Sequence, residues 1–228
     1  MKRLWIASLL TCGCLSLANN ALSIDYTLSP QEFNEDFGSA QPSTLPVVPC
    51  ASDITCKALP AQANATASCD LGAGKCILTV EVRSPPQTIN LTQQSGFPAT
   101  VANSSAVQDV QVNQVKFWAP TNTLSFNTPP IAVWVGPQSV MKETDAGAVQ
   151  FGTIPTVAKG QPIQQASAQD VALSDAGKNS LGTFARSFKT PFNVLAVAQI
   201  IVHGGDPIPS GRIDLFVQPT VAFKIIPL

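Results

Sequence analysis

The single histidine of the chain, His203, lies in the run Val202-His203-Gly204-Gly205-Asp206-Pro207. In a hydrolase it would be the base, oriented by an acid such as Asp206 and activating a serine. The plainer reading is a histidine at a strand end, where Gly-Gly-Asp-Pro makes the bend. We prefer it, because no G-x-S-x-G elbow accompanies His203. The nearest run, Gly177-Lys-Asn-Ser180-Leu-Gly182, has one residue too many before its serine.

Ser139 and Lys142 match S-x-x-K, in which a lysine would assist serine attack. Neither S-D-N nor K-T-G accompanies them, and Lys189-Thr190 runs into Pro191. A surface turn explains the pair. One histidine cannot build a histidine metal site. The acidic groups Glu32/Glu35/Asp36 and Glu143/Asp145 are close neighbours, whereas glycosidase carboxylates face each other across a groove. We read them as solvated faces. No D-x-[DN]-x-[DN]-G calcium loop and no Gly-rich phosphate loop is present. No catalytic residue, metal or cofactor is therefore assigned.

Sugar-binding sandwiches stack exposed Trp and Tyr on sugar rings. Trp118 ends a strand before Ala119-Pro120, Trp134 lies within another, and Tyr26 stands alone, so core packing is the better reading. Asn64-Ala-Thr66, Asn90-Leu-Thr92 and Asn103-Ser-Ser105 are glycosylation sequons. They carry meaning only in a host that glycosylates exported chains.

Cysteines supply the strongest chemical signal. Cys50, Cys56, Cys69 and Cys76 follow C-x5-C-x12-C-x6-C. Zinc pairs are usually spaced C-x2-C or C-x4-C, because a tight turn must aim two thiolates at one ion. The wider gaps and the even count favour disulfides in an oxidising compartment. Gly72 and Gly74 permit a tight turn between Cys69 and Cys76. That local geometry predicts the pairs Cys69–Cys76 and Cys50–Cys56.

The leader agrees with such a compartment. Lys2-Arg3 precede an uncharged stretch, Leu4 to Ala18, and then Asn19-Asn20. This is the order of a secretory signal. Its 15 residues fall short of the roughly 20 that a spanning helix needs. Ala21 and Ser23 put small side chains at −3 and −1 of a cut before Ile24. A rival is lipidation at Cys14, with Gly13 before it but Thr11 where Leu is usual. Cys12 has Leu9 but Thr11 directly before it. Removing residues 1–23 takes Lys2 and Arg3 away, leaving 11 basic and 14 acidic side chains. With no basic cluster, nucleic acid is excluded as an expected partner.

Composition sets the class. Charged residues are 12 %, half the usual quarter, and hydrophobic ones 45 %, too many for a disordered chain. The 19 prolines and 14 glycines punctuate short apolar runs. Ser29-Pro30-Gln31-Glu32 reads as a capping box, and Phe33 and Phe37 four apart predict a helix near 30–37. Residues 38–49 read as a linker and 50–74 as a loop-rich, stapled lobe. Strands are expected at 75–83, 87–91, 107–118, 131–135, 149–154, 169–173, 192–202, 212–217 and 220–226. The apolar phase slips at Asn113-Gln114, as a β-bulge requires. Ile131 to Val135, apolar throughout, reads as buried on both faces. Ser174 or Asp175 caps a helix running to Phe188, which Gly177 and Gly182 weaken by about 1 kcal/mol each.

The expected fold is therefore mainly β: an antiparallel β-sandwich or Greek-key barrel with one or two short helices. The chain divides into a signal peptide (1–23), an arm and disulfide segment (24–74) and a sandwich (75–228). One helix is too few for a parallel βαβ sheet, and the strands are too short and proline-broken for an outer-membrane barrel. The expected role is that of an exported, non-enzymatic envelope or extracellular protein, structural, adhesive or binding, with a protein or glycan partner and a lipid anchor if Cys14 is modified. Two rivals stand beside it: a carrier of lipid or another apolar ligand, and a secreted hydrolase using His203.

Overall fold

Val110, Val112, Val115 and Phe117 can share one face of a strand only if one residue is looped out between Val112 and Val115. In a computed structural model that describes residues 22–38, 44–57, 59, 65–102 and 107–225, Val112 pairs with Val221 and Gln114 with Thr220, and Asn113 is the extra residue. In chain order the strands and helices are β1 (Leu22–Thr27), β2 (Gln31–Asp36), α1 (Asp53–Cys56), β3 (Ala65–Asp70), β4 (Lys75–Arg83), β5 (Gln87–Ile89), α2 (Ala99–Ala102) and β6 (Val107–Asn122). They continue with β7 (Ile131–Pro137), β8 (Val149–Ile154), β9 (Gln169–Asp170), β10 (Ala172–Leu173), α3 (Asp175–Arg186), β11 (Phe192–His203) and β12 (Arg212–Ile225).

Two antiparallel sheets pack together. One runs β1-β12-β6-β9, with β2 continuing the β1 edge against β12. The other runs β10-β8-β7-β11-β4-β3, with β5 beside β11. Among the described residues strand makes up 49 % and helix 14 %, which places the fold in the mainly β class. The core lies between the sheets and includes Phe117, Val217 and Phe223 from one and Val133, Val135 and Phe192 from the other. A satellite cluster of Leu45, Leu59, Leu78, Ile200 and Val202 surrounds Cys56 and Cys76.

Residues 24–74 do not stand apart from the sandwich: β1 and β2 form an edge of one sheet and β3 an edge of the other. The helix expected near 30–37 is a strand instead, with Phe33 opposite Leu215. A separation of four puts two side chains on one face of a helix and also on one face of a strand, so Phe33 and Phe37 fit both. Two turns of helix gain little alone, whereas β2 gains a ladder on β12. Of the expected linker, residues 39–43 lie outside the described set. Leu45 is buried and exchanges backbone bonds with Asp206 and Gly205.

Two further expectations are corrected. The 169–173 strand is two short strands in opposite sheets, with buried Val171 at the crossing. The two C-terminal strands are one, β12, with Pro219 inside it. Pro219 lacks the N–H that would return the bond given by Leu28 N–H to Pro219 O (2.9 Å). Gln218 Nε2 donates to Leu28 O instead, at 2.9 Å, so the ladder stays satisfied.

In β7, Ile131, Val133 and Val135 are buried, while Ala132 and Trp134 are only half covered. Around Asn193 the opposite side of this sheet is covered by the loop after β7, where Val140 is buried. There Asn193 Nδ2 donates to Gln138 O and Val140 O at 2.9 Å each, and Asn193 Oδ1 accepts from Thr88 Oγ1. Asn193→Ala removes all three bonds and leaves the buried Val140 carbonyl without a partner. It is expected to cost about 2 kcal/mol, read as a lower urea midpoint at unchanged slope.

Helix α3 begins at Ser174, whose side chain accepts the Gly177 N–H at 3.0 Å. Its two glycines meet the sheets directly. A Cβ on Gly177 would lie 2.1 Å from Phe151 O in β8, and one on Gly182 would lie 2.8 Å from Val110 O in β6. The residues that weaken the isolated helix are those that let it sit against both sheets.

Candidate functional site

His203 closes β11 and faces Asp206, with Nδ1 3.3 Å from Oδ2. Both side chains are more than half exposed, at 59 % and 54 %. The same Oδ2 accepts the His203 backbone N–H at 3.0 Å, and Asp206 N–H returns to His203 O. Gly205, at φ +95°, completes the bend. Asp206 is therefore engaged in the turn, and among the described residues no hydroxyl is hydrogen-bonded to the imidazole. His203→Ala is expected to leave the fold intact and any hydrolytic background in a broad ester and peptide screen unchanged.

The other candidates are separated in space. Ser139 and Lys142 occupy the turn after β7, with no hydrogen bond between them among the described residues. Asp145 Oδ2 accepts the N–H groups of Met141 (2.8 Å) and Lys142 (3.1 Å), and those bonds, the Met141 one first, hold its carboxyl below the usual range. Glu143 is the partner of Arg83 through two bonds of 2.8 Å, which lower the Glu143 carboxyl as well. This acidic pair thus closes one turn and ties it to β4. Ser180 lies in the middle of α3, not on an elbow.

The aromatic candidates are covered. Trp118 is 5 % exposed and lies parallel to Phe216 across the β6–β12 pair, with centroids 5.5 Å apart. Trp134 Nε1 is buried without a partner among the described residues. Tyr26 donates to Ser95 O at 3.1 Å and meets Phe97 edge-on, and burial raises its phenol. Asn90 precedes a short turn in which Thr92 Oγ1 donates to Asn90 Oδ1. Asn64 and Asn103 lie outside the described residues, as do Cys12 and Cys14.

All four remaining cysteines are bridged, but not locally: the pairs are Cys50–Cys69 and Cys56–Cys76. This corrects the expected pairing. Cys69 and Cys76 do oppose each other across the β3–β4 hairpin. Each bonds instead to the segment laid over that hairpin. Cys50 N–H donates to Gly74 O (3.0 Å), Cys76 N–H to Val48 O (2.8 Å), and Cys69 N–H to Asp53 Oδ1 (2.7 Å). A bridge across the hairpin would constrain a turn already closed by its ladder. The observed bridges tie residues 19 and 20 positions apart and restrict the unfolded chain far more. Such bonds point to an oxidising environment.

One feature had only a weak signal in the sequence. Phe33 and Glu35 on β2 and Phe37 just after it share one face, which turns the Glu35 carboxylate toward the space between the sheets. There it borders an apolar cleft lined by Phe33, Phe37, Val82, Ile200, Ile213 and Leu215. The cavity is about 60 Å³. Ligand pockets usually span about 300–1,000 Å³, so this one admits a small group unless the sheets part. Burial, and secondarily Asp36, raises the Glu35 carboxyl above its ordinary 4.5. A raised folded value means that the stability contribution is full below about pH 4.5 and is lost as pH rises through the folded value. Glu35→Gln is expected to raise the melting temperature at pH 7, with the advantage vanishing in acid.

No protein family matches the chain, and no curated protein does. A solved structure from Desmodium yellow mottle tymovirus aligns over 100 % of this chain and 97 % of its own, at 12 % identity and a TM-score of 0.28. At that score the likeness carries no argument. Among the described residues, no helix is long and apolar enough to cross a membrane.

Proposed function

We propose that the chain is exported and works in the cell envelope or outside the cell without catalysis, as a structural, adhesive or binding β-sandwich. The observation that carries the reading is the sulfur-stapled segment: residues 48–56 are bonded twice to the β3–β4 hairpin, a device suited to proteins that meet no reductant. The basic-then-apolar leader supports it. Cleavage after Ser23 would remove Leu22 and Ser23 from β1, both exposed at its outer end opposite Ile225 and Lys224, so the sheet loses little. Lipidation at Cys14 would instead leave β1 whole.

Fractionation of the encoding cell, with intact mass and N-terminal sequencing under non-reducing conditions, tests the proposal. The expected product is a shortened chain outside the cytosol with four bridged cysteines. A full-length, reduced chain in the cytosol refutes it.

A carrier of a small apolar ligand is the second reading, favoured by the cleft beside Glu35. Its cavity is small, so loading requires the β2 edge to move away from β4. Native mass spectrometry after mild purification separates the two readings: a carrier retains an added mass, and a structural protein does not.

A further inference from the structure

The two bridges are neighbours in space. The Sγ atoms of Cys50, Cys56 and Cys76 all lie within 4.8 Å of one another, and Cys69 Sγ is bonded to that of Cys50 at 1.98 Å. We propose that the reduced chain holds one zinc-class divalent ion on these four sulfurs, and that closing the two bridges expels it.

Zinc–thiolate bonds of about 2.3 Å place tetrahedral sulfurs about 3.8 Å apart. Once the bridges open, each bonded pair must part to roughly that distance, which side-chain rotation supplies. Cys50, already within 4.8 Å of the buried pair, needs only a small approach, and Cys69, which stands outside that group, a larger one. The backbone that gathers the sulfurs has holds other than the bridges. Cys69 and Cys76 are directly opposed in the hairpin ladder, and the Cys50–Gly74, Val48–Cys76 and Asp53–Cys69 hydrogen bonds hold the overlying segment. The hairpin thereby achieves what C-x6-C spacing by itself does not. Cys56 and Cys76 are wholly buried among Leu45, Leu59, Leu78 and Val202, a dry surrounding for an ion. Metal and disulfides compete for the same atoms. Oxidation of four thiolates to two S–S bonds releases four electrons, which two equivalents of a disulfide oxidant such as oxidised glutathione accept as they become four thiolates, taking protons from water to become thiols.

The test uses the full mature protein. A water-soluble phosphine opens each bridge, leaving two thiols and a phosphine oxide whose oxygen comes from water. Cobalt(II) is then added anaerobically as the probe, with near-UV circular dichroism following the fold. The expected result is a thiolate-to-cobalt charge-transfer band that saturates at one ion per chain and is displaced by zinc. Cys56→Ser and Cys76→Ser should each weaken binding more than tenfold, the scale on which even outer-shell partners matter. Oxidised glutathione should release the ion in step with loss of free thiols. A reduced chain that folds only with the metal also supports the site, because binding and folding are then one event. A folded, reduced chain without the band overturns the proposal. So does metal taken up only by an unfolded chain, or binding undiminished in both serine variants.

Discussion

Gly177→Ala is expected to destabilise the protein by at least about 3 kcal/mol, although alanine is the better helix former by about 1 kcal/mol. The decision rests on distance. The added methyl would lie 2.1 Å from Phe151 O, 2.3 Å from Phe151 Cα and 2.5 Å from Phe151 C. These are backbone atoms of β8, so no side chain can swing aside. Either α3 lifts off the sheet or β8 shifts against β7. Lifting the helix would uncover Leu181 and Ala185, which are 1 % exposed. For a chain of this size about 3 kcal/mol corresponds to a melting-temperature loss of roughly 6–12 °C. Gly182→Ala should cost less, since its single close contact, Val110 O, is at 2.8 Å. Urea unfolding of both variants checks the order, and a Gly177→Ala protein as stable as the parent would show that α3 does not rest on β8 as described.

Removing the inner bridge should come next in effect. The double variant Cys56→Ala/Cys76→Ala releases a loop of 20 residues, and chain-entropy arguments give about 3 kcal/mol for a loop of this order. Both cysteines are wholly buried, so the alanines also leave a small void beside Leu78 and Leu45. Cys50→Ala/Cys69→Ala should cost less, because those cysteines are only half-buried and pack at the border of the satellite core rather than within it. The two loops overlap in sequence, so losses from both bridges should fall short of their sum. Thermal melts of the two double variants and the fourfold variant test all three statements. Equal losses for the two bridges would contradict the burial argument.

The strands were legible where one face is apolar and the other polar. The β4 pattern gave its limits at Lys75 and Arg83, and the phase slip in β6 gave the bulge at Asn113. The cap of α3 was legible to within one residue, Ser174 or Asp175, because capping is a local hydrogen bond, and Ser174 supplies it. Where two structures share a spacing, the sequence misled: Phe33 and Phe37 suit a helix and a strand alike, and only the ladder with β12 decides between them. Pro219 misled for a related reason. Its missing N–H ends a strand unless another donor replaces it, and Gln218 does so from the adjacent position. The cleft at Glu35 was hidden by the same error, because a helix would have sent that carboxylate to solvent with Glu32 and Asp36.

Periodicity, cysteine parity and turn chemistry determined the mainly β class, the fact of disulfides and most strand positions, since each depends on residues near one another in the chain. Pairing of the sulfurs, seating of α3 on Gly177 and Gly182, the choice of Phe216 as the partner of Trp118 and the inward turn of Glu35 were decided by tertiary structure alone. Each of these joins segments distant in sequence, and which distant surfaces meet is fixed by packing two whole sheets rather than by any local pattern.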